Sequence, residues 1–140
     1  MRRATAPRVA GATVLGLAVA GLTACAGGPW SHSAPSWFTS REPLSPCTSV
    51  TVPPGGDGAV PADALACFAA GADRGAELTV GSYTTEGDLI VTYYRARPGI
   101  TGIEVLIDGT RDSFGAREWT RELCPDATSP DDLGTCTDAG

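Results

Sequence analysis

The number and spacing of the cysteines limit what this chain can fold into more than any other feature of its sequence. The chain has five cysteines. Cys25 follows an apolar N-terminal run, and the others are spread over the rest of the chain, at Cys47, Cys67, Cys124 and Cys136. Without Cys25 four cysteines remain, and an even number in a short chain is typical of a disulfide framework that forms in an oxidising compartment.

The cysteine spacing favours one pairing and argues against a metal. Short loops close most easily, so we expect bonds between cysteines that are neighbours along the chain. Those pairs are Cys47 with Cys67 and Cys124 with Cys136, and the other two connectivities stay open. Structural zinc sites usually contain closely spaced cysteine pairs or histidine partners, whereas the single histidine, His32, lies in a different kind of segment. We therefore predict a disulfide-stapled fold with no metal site and no cofactor.

The N-terminal segment has the layout of an export signal. Arg2, Arg3 and Arg8 give it a positive start, and residues 9–22 carry no charge and are apolar or small. This run is shorter than the roughly 20 residues that a membrane span needs, so it predicts a signal peptide. The sequence Leu22-Thr23-Ala24-Cys25 ends the run and resembles the lipobox of bacterial lipoproteins, with a match at all four positions.

The lipobox resemblance implies that the Cys25 sulfur receives a diacylglyceryl group and that the chain is cut just before this cysteine. The lipid would anchor residues 25–140 at the extracytoplasmic face of the cell membrane, since two or more acyl chains hold a protein durably. Two alternatives stay open, because Ala24-Cys25-Ala26 also fits ordinary secretory cleavage and the segment can be retained. The composition, rich in Ala and Gly and without lysine, resembles that of actinobacterial proteins.

The charge balance limits the kinds of partner. The whole chain has a formal charge of −6. After cleavage before Cys25 it keeps seven arginines and all 16 acidic residues, which gives −9. A nucleic-acid partner needs a basic face and is therefore not expected. The predicted partners are membrane lipid, through the acylated cysteine, and an envelope protein or a cell-wall polymer.

Residues 25–46 are rich in Ser, Pro and Gly and show neither a helical nor a strand period, so they predict a tether. Three large aromatic side chains stand out in it, those of Trp30, Trp37 and Phe38. They are candidates for binding a partner or for lying at the lipid interface. We favour the third possibility, packing against the edge of the domain, because large apolar side chains of small folds are usually covered.

Residues 60–75 contain the one convincing helical pattern. Apolar residues recur there at the spacing of a single helix face, at Leu65, Phe68, Ala69 and Ala72. Cys67 lies off the centre of that face, so a bond to Cys47 would hold the preceding loop across the helix.

Three strands are predicted next, in the sequences ELTVGSYT, DLIVTYYRAR and GIEVLID, which are rich in β-branched and aromatic residues. Short turns with glycine separate them and imply antiparallel neighbours. Residues 113–124 fit either a fourth strand, which we favour, or a helix, because residues there also recur at i, i+4 spacing. Residues 125–140 predict an acidic, irregular tail tied by Cys136, whose aspartates lack the alternating pattern of a calcium loop.

These elements predict an α+β fold. Residues 47–124 would form a small two-layer domain, with one helix packed on a three- to four-stranded antiparallel sheet and disulfides as staples. The charged residues of the strands are expected to form cross-strand pairs on the solvent face. They are Arg95, Arg97, Glu104, Asp108, Arg117, Glu118 and Arg121.

The sequence contains no arrangement typical of an enzyme, because a hydrolytic triad needs a base near a nucleophile and the sole histidine lies in the tether. We therefore predict a non-catalytic, membrane-anchored binding or accessory module for a component of the cell envelope. The alternative is a secreted or shed inhibitor or ligand carrier. It would use the loop RPGITG or the face that bears Tyr83, Tyr93 and Tyr94.

Overall fold

The computed structural model describes residues 33–54 and 59–140, which belong to one compact unit. Cys25, Trp30 and His32 lie outside the described residues. Within the described part of the chain, no helix is both long enough and apolar enough to span a membrane. The helices and strands are α1 (Ser36–Thr39), β1 (Ser45–Pro46), β2 (Val50–Val52), α2 (Ala62–Gly71), β3 (Ala76–Tyr83), β4 (Leu89–Ala96), β5 (Ile103–Asp108), β6 (Trp119–Cys124) and β7 (Thr137–Asp138), with a 3₁₀ turn at Ala72–Arg74.

The predicted α+β class is confirmed, but the sheet is larger than expected. It has seven strands in the order β1-β3-β4-β5-β6-β7, and β2 also pairs with β3. The antiparallel meander runs from β3 to β7, whereas β1 and β2 are parallel to β3. The prediction of three to four strands was too low because the added strands β1, β2 and β7 are only two or three residues long. Strands so short leave no periodic pattern in the sequence.

The three predicted central strands are present, and the open choice for residues 113–124 is resolved in favour of a strand at its C-terminal end. Residues 119–124 pair along the whole of β5, from Asp108 opposite Trp119 to Ile103 opposite Cys124. The sequence predicted a strand that includes Phe114, but β6 begins only at Trp119. The Asp112 carboxylate instead accepts hydrogen bonds from the backbone N–H groups that follow it and folds this stretch into a loop.

Helix α2 begins directly after Pro61 and carries Asp63 in its first turn, which suits the positive end of the helix. Its inward-facing side chains are Ala64 and Phe68, which are only 4% and 3% exposed. The predicted apolar face was therefore partly wrong, since Ala69 is exposed. A stripe of small apolar residues does not specify which of them faces the sheet, and the bulky phenylalanine sets that direction.

The hydrophobic core lies between α2 and one face of the sheet. Helix residues pack there against alternate residues of the central strands, because successive side chains of a strand point to opposite faces. The strand residues of this core include Ala76, Leu78, Val80, Ala96, Ile103 and Val105. We call this side of the sheet the helix face.

Two disulfides tie the ends of the fold to its centre. Cys47 bonds to Cys67, with 20 residues of sequence separation, and Cys124 bonds to Cys136, with 12. These are the pairs that the short-loop argument favours. The first disulfide joins the segment after β1 to α2, and the second joins the end of β6 to the residue before β7.

Replacing Cys47 and Cys67 together by serine is expected to lower the free energy of unfolding by about 2–4 kcal/mol. Cys67 is exposed, Cys47 is only partly buried, and serine is close to cysteine in size, so the loss reflects mainly the missing cross-link. Denaturant unfolding of the variant and of the wild type, each with and without reductant, measures the effect. A variant that matches the oxidised wild type would contradict the role of this disulfide as a staple.

Candidate functional site

The face of the sheet opposite α2 carries a group of charged and aromatic side chains that we call the distal face. The cross-strand register places its members side by side. They are Glu77 on β3, Tyr93 and Arg95 on β4, Glu104 and Leu106 on β5, and Trp119 and Arg121 on β6. Helix α1 lies over this face, as ring contacts of Phe38 with Tyr93 and Trp119 show.

A buried ion pair occupies the centre of the distal face. Arg95 and Glu104 are 3% and 4% exposed, and Arg95 Nη1 lies 2.6 Å from Glu104 Oε2. Arg95 also donates to Glu77 Oε2 at 2.8 Å and to the backbone carbonyl of Glu42. The charged strand residues were expected to form cross-strand pairs, and Arg95 and Glu104 do so, but the expectation that such pairs face the solvent was wrong. The segment that follows α1 covers this pair, and sequence periodicity does not reveal that cover.

Three further arginines extend the pair into a network. Arg41 binds both carboxylate oxygens of Glu77, at 3.1 and 3.2 Å. Arg121 donates through Nε and Nη2 to Glu104 Oε1, at 3.0 and 2.7 Å. Arg97 Nη1 lies 3.5 Å from the same oxygen. Both oxygens of Glu104 are therefore occupied by guanidinium groups.

The other predicted cross-strand charges do not join this network. Asp108 accepts hydrogen bonds from Thr110, and Arg117 donates to backbone carbonyls of its own loop. Glu118 is exposed in the same loop. Asp108 ends β5 opposite the uncharged residues Val91 and Trp119, and Arg117 and Glu118 come before β6 begins.

The arginines keep Glu104 ionised. Burial on its own would raise the pKa of this carboxyl group, but hydrogen bonds from Arg121 and the charges of Arg95, Arg121 and Arg97 outweigh burial. The pKa of Glu104 is therefore lower than that of an ordinary glutamate. At neutral pH the network consists of ions that are already paired.

An aromatic cluster adjoins the network. Phe38 contacts Trp119 and Tyr93 with ring-centre distances of 4.2 and 4.9 Å, and Trp37 lies 6.2 Å from Trp119. The Arg41 guanidinium lies over the Phe38 ring at 3.8 Å. Burial raises the pKa of Tyr93. Residues 36–39 of the segment predicted as a tether thus pack on the sheet, with Trp37 and Phe38 half-buried.

A cavity of about 200 Å³ opens between α1 and the charged network. Its walls combine guanidinium groups with one indole ring. The residues that line it are Trp37, Ser40, Arg41, Glu42, Arg95, Arg97, Glu104, Leu106 and Arg121. The sequence shows that Arg95 and Arg97 share a strand face, because they are two residues apart, but nothing in it brings Arg41 to them.

The sequence also proposed two other binding surfaces, the tyrosine face and the RPGITG loop. Tyr83 and Tyr93 share the distal side of the sheet, whereas Tyr94 faces the core on the helix face. The three tyrosines therefore do not form one surface, since neighbouring residues of a strand point in opposite directions. In the RPGITG loop, the side chain of Ile100 is exposed.

Glu122, Cys124 and Cys136 bring a carboxylate oxygen and two sulfurs within 4.8 Å of one another. The two sulfurs are bonded to each other, and a metal-binding cysteine must be a thiolate. This cluster is part of a structural staple.

The loop between β5 and β6 presents an exposed aromatic side chain. Phe114 is 80% exposed. The backbone N–H of Ser113 donates to Asp88 Oδ2 at 2.7 Å, and this bond lowers the pKa of Asp88. The Asp112 carboxylate accepts from the N–H groups of Phe114 and Gly115. Hydrogen bonds on both sides of Phe114 thus hold it outward.

Comparisons of this chain with protein-family models, with curated proteins and with solved structures find no match.

Proposed function

We propose that this protein is a lipid-anchored module at the extracytoplasmic face of the cell membrane that binds a component of the cell envelope through its distal face. The observation that carries the proposal is the cavity in which Arg41, Arg97 and Arg121 meet the Trp37 ring. Concave sites that combine an aromatic wall with a few charged groups are typical of ligand recognition.

The chemistry of the cavity favours binding over catalysis. Guanidinium groups donate hydrogen bonds but keep their protons at every physiological pH. Glu104 is held ionised by its arginine partners. Groups of this kind recognise and orient a ligand, whereas general acid–base work needs a group that exchanges protons near neutral pH.

The anchor part of the proposal rests on the lipobox sequence that ends at Cys25. A diacylglyceryl group supplies two acyl chains, which is the number that makes membrane attachment durable. The acidic domain would gain nothing from electrostatic attraction to anionic lipids, so the lipid is the part that would hold it at the surface.

Cell fractionation with cross-linking tests both parts of this function. We expect the wild type in the membrane fraction, with an acyl mass increment at Cys25 and one discrete cross-linked partner. Cys25→Ala is expected to leave the membrane fraction, because the acylated sulfur is lost. Trp37→Ala is expected to stay in the membrane and lose the partner, because it removes one wall of the cavity.

An unmodified Cys25 in the intact mass would contradict the anchor. A partner captured equally well by wild type and Trp37→Ala would contradict the distal face as the binding surface. Phe38→Leu serves as the matched control. It keeps an apolar side chain on the side of α1 that faces the sheet, and residue 38 does not line the cavity.

The second candidate function is a secreted or shed inhibitor, and the outward-held Phe114 is the observation that favours it. A single exposed aromatic on an ordered loop is suited to insertion into a pocket of another protein. In the same experiment, this candidate predicts protein in the medium and loss of the partner in Phe114→Ala instead of Trp37→Ala.

A further inference from the structure

We propose that the cavity on the distal face is an oxyanion site, in which Arg97 and Arg121 bind a carboxylate or phosphate group of the ligand beside the Trp37 ring. The inference rests on the proposed binding function and names the chemistry of its ligand.

Arg97 and Arg121 have hydrogen-bond donors to spare. Arg121 uses Nε and Nη2 on Glu104, and its Nη1 has no hydrogen-bond partner among the described residues. Arg97 only approaches Glu104 Oε1, at 3.5 Å, and within the same part of the chain its guanidinium donates no hydrogen bond. Their side chains are 31% and 30% exposed, and both line the cavity. An incoming anion therefore finds available donors on two cations.

The acceptor that these arginines share is already crowded. Glu104 Oε1 receives two hydrogen bonds from Arg121 and the ion pair with Arg97, while Arg95 occupies the other oxygen. A carboxylate oxygen has about two lone-pair positions, so this one has no capacity left for the remaining donors. A second oxyanion is the group that would satisfy them, and charge-assisted hydrogen bonds of this kind are the strong ones.

The local charge also favours an anion. Four arginines and two glutamates line the cavity, and a third glutamate, Glu77, pairs with Arg41 beside it, although the chain as a whole has a charge of −6. The arginines are Arg41, Arg95, Arg97 and Arg121, and the glutamates are Glu42, Glu77 and Glu104. A small positive excess between low-dielectric walls concentrates anions at that point of an acidic surface.

The site is held by rigid elements. Arg121 lies within β6 and Arg97 directly follows β4, and the buried pair of Arg95 and Glu104 fixes the floor between them. Preorganised donors lose little entropy on binding, which favours affinity. The volume of about 200 Å³ is smaller than the roughly 300–1,000 Å³ of sites that enclose a whole drug-sized ligand. The cavity would thus take one acidic group of a larger molecule, with the adjoining part on the Trp37 ring.

The test uses the purified full chain, with three probes at low ionic strength: glycerol 3-phosphate, glucuronate and neutral glucose. Tryptophan fluorescence reports binding at the Trp37 wall. We expect a saturable response to at least one of the two anions and none to glucose. A phosphate-only response identifies a phosphate-bearing ligand, and a glucuronate-only response identifies a carboxylate-bearing one. A response to neither anion, or an equal response to glucose, would overturn the proposal.

Arg97→Gln combined with Arg121→Gln is expected to weaken anion binding more than tenfold, or by more than about 1.4 kcal/mol, because it removes both charged hydrogen-bond donors of the site. The control, Arg74→Gln with Arg111→Gln, removes the same charge at exposed positions outside the cavity and should change binding less than twofold. Equal weakening in the two variants would mean that only net charge matters, and would overturn the site.

Chemical-shift mapping of the wild type with the same anions keeps the proposal testable if the double variant does not fold. The shifts should centre on the side-chain N–H groups of Arg97, Arg121 and Trp37. Shifts elsewhere would refute the assignment. If the protein binds no anion but still captures a partner through Trp37, only the oxyanion site is wrong. If it neither binds an anion nor captures a partner through Trp37, the proposed function is wrong as well.

Discussion

Replacing Glu104 with alanine is expected to lower the free energy of unfolding by about 3–5 kcal/mol, one of the two largest effects of a single substitution that we foresee. Arg95 is 3% exposed and would keep only Glu77 and a backbone carbonyl as partners. A buried guanidinium that loses a charged partner carries the cost of its own desolvation. Urea unfolding followed by circular dichroism measures the difference.

Two further variants separate the ion pair from simple loss of packing. Glu86→Ala removes an exposed glutamate from a turn and should change the free energy of unfolding by less than about 0.5 kcal/mol. Glu104→Leu combined with Arg95→Met should lose less than Glu104→Ala, because no unpaired charge stays buried. If Glu104→Ala is as stable as Glu86→Ala, the network is not a structural element.

The same carboxylate gives the stability a defined dependence on pH. The folded pKa of Glu104 lies below the value of about 4.3 for a glutamate in an unfolded chain. Its contribution is therefore complete above that unfolded value and is lost as the pH falls through the lower, folded value. Glu104→Gln has no such group, so the stability difference between wild type and Glu104→Gln should shrink on acidification. A constant difference across this range would contradict the lowered pKa.

Replacing Phe68 with alanine is expected to cost about 3–5 kcal/mol of stability, because it removes the bulkiest side chain that α2 packs on the sheet. The remaining cavity would be bordered by residues of the central strands, which cannot close the space fully. Calorimetric or urea unfolding detects a change of this size, which is a large part of the 5–15 kcal/mol typical of folded proteins.

Two positions on the same helix serve as controls. Leu65 is only partly buried, so Leu65→Ala should cost less than half as much as Phe68→Ala. Ala69 is exposed, and Ala69→Gln should be close to neutral. A large loss for Ala69→Gln would support the helix face predicted from the sequence pattern over the one in the structure.

The hydrophobic periodicity of α2 predicts that a helix forms but not which of its residues face the sheet. The pattern of residues 60–75 identified the helix, because a recurrence every three to four residues is a property of the chain itself. It did not orient the helix correctly around Ala69, because several small apolar residues fit the stripe about equally well. Contact with the sheet selects Phe68 and Ala64 as the inward residues.

The candidate site depends still more on distant contacts. Strand alternation places Arg95 and Arg97 on one face from the sequence alone, and the register then brings Glu104 opposite Arg95. Arg41 comes from a segment without any regular pattern, and its 36-residue separation from Glu77 leaves no local signal of their contact. The sequence favoured packing of Trp37 and Phe38 against the domain, but it did not indicate which face they cover or that Arg41 reaches Glu77.

The class of the fold and the central helix and strands follow from the sequence, because they depend on local periodicity and turn residues. Loop length favoured the disulfide pairing that the structure shows, without excluding the other two connectivities. The sequence also motivates the lipid anchor, which stays a prediction from the four residues that end at Cys25. Three features are visible only in the folded chain: the paired charges are buried, the segment that follows α1 covers them, and a cavity forms beside Trp37. Those features require side chains far apart in the chain to share one face, and long-range packing alone specifies that.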